Sequence, residues 1–329
     1  MQLRTHLRWM ATAVALACGV SSAWAQSESY PSKPIKLIVP FPAGGPTDIA
    51  ARVIGQAMAE DLNASVVIEN KGGAHGFIGA SEAARSKPDG YTLMMASIGT
   101  MAINPGLYNK MPYAPNEDFE PLSLVLTVPI VLVANPNKIA AQTVPELVQY
   151  LKDHPHRVNY ASAGAGGSSH LVPEYFKYRT QTEMAHIPYK GSGPAVSDLV
   201  AGQVDLMFDT LLTSTPFVHS GKLKMLAVTT RERLSQYPDV PTVSQVLGMK
   251  DFEASSWYAM YAPKGTAPEI VQQLSESVDR VLKQPQILAR MAELGAVPEG
   301  GSPQRLRDFQ QSEQAKWLQV IKAADIKPH

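Results

Sequence analysis

The chain has 329 residues, 45% apolar and 18% charged, which is length for about two ordinary domains and apolar content enough to bury a core. Lysine plus arginine and aspartate plus glutamate balance at 29 each, excluding the basic surplus that nucleic acid or an anionic membrane surface calls for. Cys18 is the only cysteine, which excludes an internal disulfide and cysteine metal sites.

The first 25 residues read as a signal peptide. Arg4 and Arg8 give a positive start, Met10 to Val20 is apolar, and Ala23-Trp24-Ala25 is a small-x-small cleavage pattern, so Gln26 opens the mature chain. The apolar run is short of the ~20 residues that a membrane anchor needs. A lipoprotein is the other alternative, since Cys18 follows Ala15-Leu16-Ala17, though leucine is missing three positions before it. Cleavage removes two arginines and no acids, leaving 27 basic against 29 acidic residues. The expected product is exported and periplasmic.

From Ile35 the pattern alternates. Ile35 to Val39 reads as a buried strand, and Phe41-Pro-Ala-Gly-Gly-Pro-Thr-Asp48 as a glycine turn. Helical spacing follows from Ile49 to Leu62. Ser65 to Glu69 and Tyr91 to Ala96 are strands flanking a small-residue helix at Ile78 to Arg85. Strand–helix alternation of this kind predicts an α/β fold with a parallel sheet. Leu122 to Ala134 reads as a strand that leaves one lobe for another, and Thr143-Val-Pro-Glu146 has capping-box spacing for a helix to about Asp153. His156 to Ala161 leads into a strand, and Ser162-Ala-Gly-Ala-Gly-Gly-Ser-Ser-His170 repeats the glycine turn before a helix at Leu171 to Tyr178. Strands follow at Met184 to Pro188, Val204 to Phe208 and Lys224 to Thr229, with a helix through Val200 and a short one before Gly248. Ser256 to Ala262 returns as a strand to the first lobe. Helices at Ala267 to Lys283, Pro285 to Leu294 and Pro303 to Ala324 close the chain.

No P-loop, dinucleotide fingerprint, H-E-x-x-H or G-x-S-x-G motif occurs, and no cofactor or metal is expected. His170 beside Ser168 and Ser169 leaves open a secreted serine/histidine hydrolase acting on a carboxylate ester; the alternative is that the serines cap a helix and the imidazole bonds locally. The two glycine loops each set a backbone turn before a helix N-terminus, where unpaired N–H groups favour an anion. Neither loop carries Lys or Arg, so a carboxylate is expected rather than a phosphate.

The mature chain resembles the Bug-type periplasmic solute receptors of the tripartite tricarboxylate transporter family. The resemblance is carried by Ile38-Val-Pro-Phe-Pro-Ala-Gly-Gly-Pro-Thr-Asp48, Val67-Ile-Glu-Asn-Lys-Gly-Gly73, Pro88-Asp-Gly-Tyr-Thr-Leu93 and Ala102-Ile-Asn-Pro105. It continues through Tyr160-Ala-Ser-Ala-Gly164 with Ser169-His170-Leu171, Pro188-Tyr-Lys-Gly191, Gly202-Gln-Val-Asp205 and Ala262-Pro-Lys-Gly265. It implies a two-lobed periplasmic binding protein fold, type II-like, with hinge-crossing strands. Residues 26–127 and 255–329 would form lobe 1, and 128–254 lobe 2. The implied function is capture of a small carboxylate, without catalysis, for a membrane permease or a sensor. Carried over from the family, one binding loop comprises Phe41, Ala43, Gly44, Gly45, Thr47 and Asp48; the other comprises Ser162, Ala163, Gly164, Gly166, Ser168, Ser169 and His170. Asp48 is expected to cap its helix or orient a water, and Phe41 to pack against the ligand body. Specificity is expected from Gly73 to Phe77, Ser97 to Met101, Tyr189 to Ser192, and Asp209 with Thr210; Lys71 and Lys190 are candidates to neutralise a second carboxylate. Met101 stands where the family often has histidine, which favours a longer or more apolar ligand, a mono- or dicarboxylate or an aromatic acid.

Overall fold

The computed structural model describes residues 30–327, so the signal peptide, its cleavage site and Cys18 lie outside the described residues. Ten strands form one sheet. β1 (Ile35–Val39) lies between β2 (Val66–Asn70) and β3 (Thr92–Ser97), both parallel to it. β3 pairs antiparallel with β9 (Ser255–Pro263), and β9 with β4 (Phe119–Ala134). On the far side of β4 come β7 (Leu206–Thr210), β5 (Asn159–Ser162) and β6 (Ala185–Pro188), while β8 (Lys224–Val228) and β10 (Val297–Pro298) also pair with β4.

β4 joins the two halves of this sheet. Its 16 residues bond β9 and β10 along its first part and β7 and β8 along its second, Ile130 to Ala134. Pro129, which has no N–H to give a ladder, sits at the changeover, where β4 meets the first residue of β9, Ser255. All but two residues of β4 are buried, as a strand covered on both faces requires. From Lys33 onward the chain forms one compact unit.

The helices are α1 (Pro46–Asp61), α2 (Phe77–Ala84), α3 (Asn104–Leu107), α4 (Val144–Asp153), α5 (Ser168–Thr180), α6 (Ser192–Ala201), α7 (Leu211–His219), α8 (Val243–Leu247), α9 (Pro268–Leu282), α10 (Pro285–Glu293) and α11 (Pro303–Ala323). Two differ usefully from the pattern reading. α1 starts at Pro46 rather than Ile49, because proline at the first helical position lacks only an N–H that would be orphaned anyway. α5 starts at Ser168 rather than Leu171, so Ser168, Ser169 and His170 form its first turn. α7 has no counterpart in the pattern reading; its Thr213, Ser214, Thr215 and Pro216 are weak helix formers. α4 begins where the capping box placed it, with the Thr143 hydroxyl accepting from Glu146 N.

The core is aromatic at its centre. Trp257 and Trp317 are fully buried, and both indole N–H groups donate to one Glu313 carboxylate oxygen, at 3.1 and 3.2 Å. Burial of each ring therefore leaves no orphaned donor. The topology matters for function in one respect. The carboxyl ends of β1, β5, β6 and β7 each run into a helix start, those of α1, α5, α6 and α7, and β3 runs into a short π-helical turn at Gly99–Ile103. In open α/β sheets that edge is where ligands sit.

Candidate functional site

A cavity of ≈ 70 Å³ lies among those helix starts. It is lined by Phe41, Pro42, Gly45, Pro46 and Thr47 from the first glycine turn, and by Ala163, Gly167, Ser168 and Ser169 from the second. Ser97, Ile98 and Gly99 contribute from the end of β3, Gly191 and Ser192 from the start of α6, Asp209 and Thr210 from β7, and Ser256 and Tyr258 from β9. Among the described residues that line it there is no Lys, Arg or His.

The two glycine turns face this space as uncapped helix ends. Gly45 and Gly167 occupy the N-cap positions of α1 and α5, and neither helix has a side-chain cap. The first-turn N–H groups of Thr47, Asp48, Ser168 and Ser169 therefore have no intrahelical carbonyl to bond. Two positive dipole ends against one cavity favour a negative guest, each by about 0.3–1 kcal/mol at exposed sites and more when desolvated.

Asp48 holds the first turn from behind. Its carboxylate accepts from Gly44 N at 2.9 Å, Arg52 Nε at 3.0 Å and Asn70 Nδ2 at 3.0 Å, and Asn70 Nδ2 also donates to Phe41 O at 3.1 Å. Burial opposes ionisation here, but the bonds from Arg52, Gly44 and Asn70 outweigh it, so the carboxyl sits below its usual range. Asp48 is thus neither an N-cap nor a lining group; it shapes the turn, and Gly44 N is spent on it.

The second turn is braced by neutral groups. Ser169 Oγ accepts from Ala163 N at 2.9 Å, and Ser162 Oγ accepts from Gly164 N at 3.2 Å while meeting His186 Nε2 at 2.6 Å. His170 Nδ1 accepts from Gly166 N at 3.3 Å, and its ring stacks on that of His186, centroids 4.3 Å apart. Gly166 has φ +77°, and a Cβ there would meet Asn104 Oδ1 at 2.7 Å, so any side chain there would be both strained and crowded. Ser169 Oγ and His170 Nδ1 thus each accept a backbone N–H of their own loop, a bracing role in place of the nucleophile–base pairing that the hydrolase alternative needs.

Of the residues expected at the site, Phe41, Gly45, Thr47, Ala163, Ser168 and Ser169 from the two loops line the cavity, as do Ser97 to Gly99, Gly191, Ser192, Asp209 and Thr210 from the segments expected to set specificity. Ala43, Gly44, Asp48, Ser162, Gly166 and His170 stand behind or beside it and carry the turns. Tyr189 turns away, its hydroxyl donating to Asp198 at 2.8 Å, with burial and then that carboxylate pushing the phenol up to about 12. Met101 is fully buried in the core, so its replacement of a polar residue says nothing about ligand length. Gly76 packs beneath Phe41 and Thr100, and no residue of Gly73 to Phe77 reaches the cavity. Lys71 pairs with Glu69 and Glu82 at 3.6 and 3.5 Å, and Lys190 is exposed. Pattern reading missed Pro42, Pro46, Gly167, Ser256 and Tyr258; the last two alternate on a strand read only as a crossing, where period-two spacing was the available signal.

Asp209 is 2% exposed, and its acceptors are used within the protein. Ser192 Oγ donates to Oδ1 at 2.8 Å; Thr213 and Ser214 hydroxyls donate to Oδ2 at 2.5 and 2.7 Å; the Thr210 backbone adds a fourth bond. Burial nonetheless pushes its carboxyl above the usual range. A carboxylate has about four acceptor positions, so Asp209 has none left for a ligand amine. It instead fixes the Ser192 proton inward, and that hydroxyl keeps only acceptor capacity for the cavity.

Fold and site together define a two-lobed solute-binding protein of the periplasmic type. Residues 50–326 match the model of the tripartite tricarboxylate transporter family receptor, and the chain belongs to that family. It is similar to the periplasmic binding protein BugD at 37% identity and TM-score 0.86, over 91% of this chain and 99% of that one. An R. palustris protein solved with adipate matches at 36% identity and TM-score 0.88, covering 91% and 100%. MatC from Rhodopseudomonas palustris, solved with bound malate, matches at 34% and 0.84, covering 89% and 100%.

Proposed function

We propose that the protein is an extracytoplasmic receptor that captures one small carboxylate between two lobes and hands it to a tripartite tricarboxylate-type permease or a sensor. The observation that carries this is the pair of uncapped helix N-termini, α1 and α5, facing one cavity whose lining has no cation. Backbone N–H and hydroxyl donors bind a planar carboxylate well, whereas the higher charge of a phosphate draws on Lys or Arg. The adipate and malate in the two R. palustris relatives support the ligand class.

Export after cleavage at Ala25 belongs to the same reading; among the described residues no helix is long and apolar enough to cross a membrane. Residues 26–127 with 255–329 act as lobe 1 and 128–254 as lobe 2, parting about β4 and β9, a hinge of the usual kind. Function is binding and release, without turnover. Thermal unfolding of the mature protein with mono- and dicarboxylates, sugars and divalent cations tests the reading. A carboxylate at about 100 times its Kd adds about 2.7 kcal/mol, or roughly 4 °C for a chain this long. If only sugars or cations raise the midpoint, the reading fails.

A further inference from the structure

We propose that His75 is a positioning residue that latches the second glycine turn over the cavity; this rests on the reading that the two halves of the sheet part to admit a ligand. His75 lies in the helical turn Ala74–Gly76 before α2, on the β1–β3 side, and lines no part of the cavity. Its Nδ1 is 3.0 Å from the carbonyl of Ala165, a residue of the turn that follows β5. A carbonyl only accepts, so Nδ1 carries the proton. Ala165 lies two residues before Gly167, the start of the run Gly167–Ser169 that walls the cavity, so this one bond ties the far wall to the near side.

The ring is held for the task. It stacks on Tyr108, centroids 5.2 Å apart and planes 29° apart, and Tyr108 meets Phe77 edge-on at 5.1 Å. The His75 carbonyl accepts from Asn104 Nδ2 at 3.1 Å, and Asn104 is the residue against which Gly166 closes. The backbone opposes the arrangement: His75 has φ +59° and Ala74 before it φ +45°, a left-handed pair in which glycine would sit without strain. A side chain kept at a strained position, reaching across the cleft but not to the ligand, acts by holding the closed arrangement.

Strain and latch make opposite predictions for His75→Gly, which makes the test discriminating. The mature chain has no cysteine, so spin labels can be placed at Gln56→Cys on α1 and Lys152→Cys on α4, both exposed. Pulsed dipolar spectroscopy of the ligand-free protein is expected to give longer and broader distances in His75→Gly than with His75 present. Its thermal midpoint is expected to equal or exceed that of the parent, since the strain at position 75 is relieved. Identical distance distributions in the two proteins overturn the latch. So does a midpoint lowered by several degrees with distances unchanged, the outcome for a merely structural residue. Failure of carboxylates to raise the midpoint of the unlabelled parent is a separate result, and it strikes the receptor reading rather than the comparison of the two labelled proteins.

Discussion

The two glycine turns do the same work with different bracing. Each ends a parallel strand, turns on glycine and presents an uncapped helix start to the cavity. The first is held by charge, a buried aspartate bonded to Gly44 N, Arg52 and Asn70. The second is held by neutral groups, Ser162, Ser169 and the stacked rings of His170 and His186. Position explains the difference. Pro42 to Gly44 are exposed, and Arg52 reaches Asp48 from a side chain 54% exposed, so the ion pair forms with one partner still in water. Ser162 and His170 are fully buried, and an ion there would pay the full desolvation cost. The general lesson is that helix-end anion sites need a rigid turn, and the local dielectric selects how it is made rigid.

Substitutions can break this contrast, beginning with the largest effect. Asp48→Ala removes the acceptor for three donors and is expected to cost about 2–3 kcal/mol, most of it from the part-buried bonds to Gly44 and Asn70 and little from half-exposed Arg52. Urea unfolding measures it, and a loss under about 0.5 kcal/mol would show that the first turn is rigid without its charge. Gly45→Val acts on binding instead. A Cβ there meets only Pro42 O, at 3.6 Å, so the fold admits it, but the branched side chain enters the carboxylate approach. Affinity is expected to fall at least about tenfold, which is 1.4 kcal/mol, with unfolding changed by less than about 1 kcal/mol. Ser169→Ala deletes one neutral bond from the second turn and is expected to cost about 1 kcal/mol in the same urea experiment.

The smallest effect is a pH slope. Asp48 has its carboxyl lowered from 3.8, so its contribution is present above that pH and is lost as pH falls through the depressed value. Asp48→Asn should flatten the acid limb of stability. Asp209 is raised from 3.8 by burial, which reverses the sign: its stabilising proton is lost as pH rises. Asp209→Asn should therefore compare better with the parent as pH increases. Equal slopes in both variants and the parent, measured by urea midpoints across the acid range, would contradict both assignments.

Most strands and long helices were legible in the sequence, because buried runs such as Ile35 to Val39 and capping signals such as Thr143 to Glu146 are local. The missed α7 was not, since its Thr213 and Ser214 hydroxyls are satisfied by Asp209, a partner its own composition does not reveal. The two turns were legible as anion-friendly corners. Which residues face the cavity was less so: Asp48 and His170 stand in the binding loops of a one-dimensional reading, and only the folded turns, with Asp48 bonded to Gly44, Arg52 and distant Asn70 and His170 bonded to Gly166 and stacked on His186, turn them into supports. Met101 fails for a similar reason, as nothing local distinguishes a methionine in a pocket from one in a core.

The central claim is that a carboxylate sits between the starts of α1 and α5. A crystal structure with the carboxylate that most raises the thermal midpoint tests it most directly. The account predicts ligand carboxylate oxygens within about 3 Å of the first-turn N–H or hydroxyl groups of both helices, Thr47 on one side and Ser168 or Ser169 on the other, directly or through one water. A carboxylate bound against Lys71, Lys190 or another surface cation, with the two helix starts untouched, would contradict it.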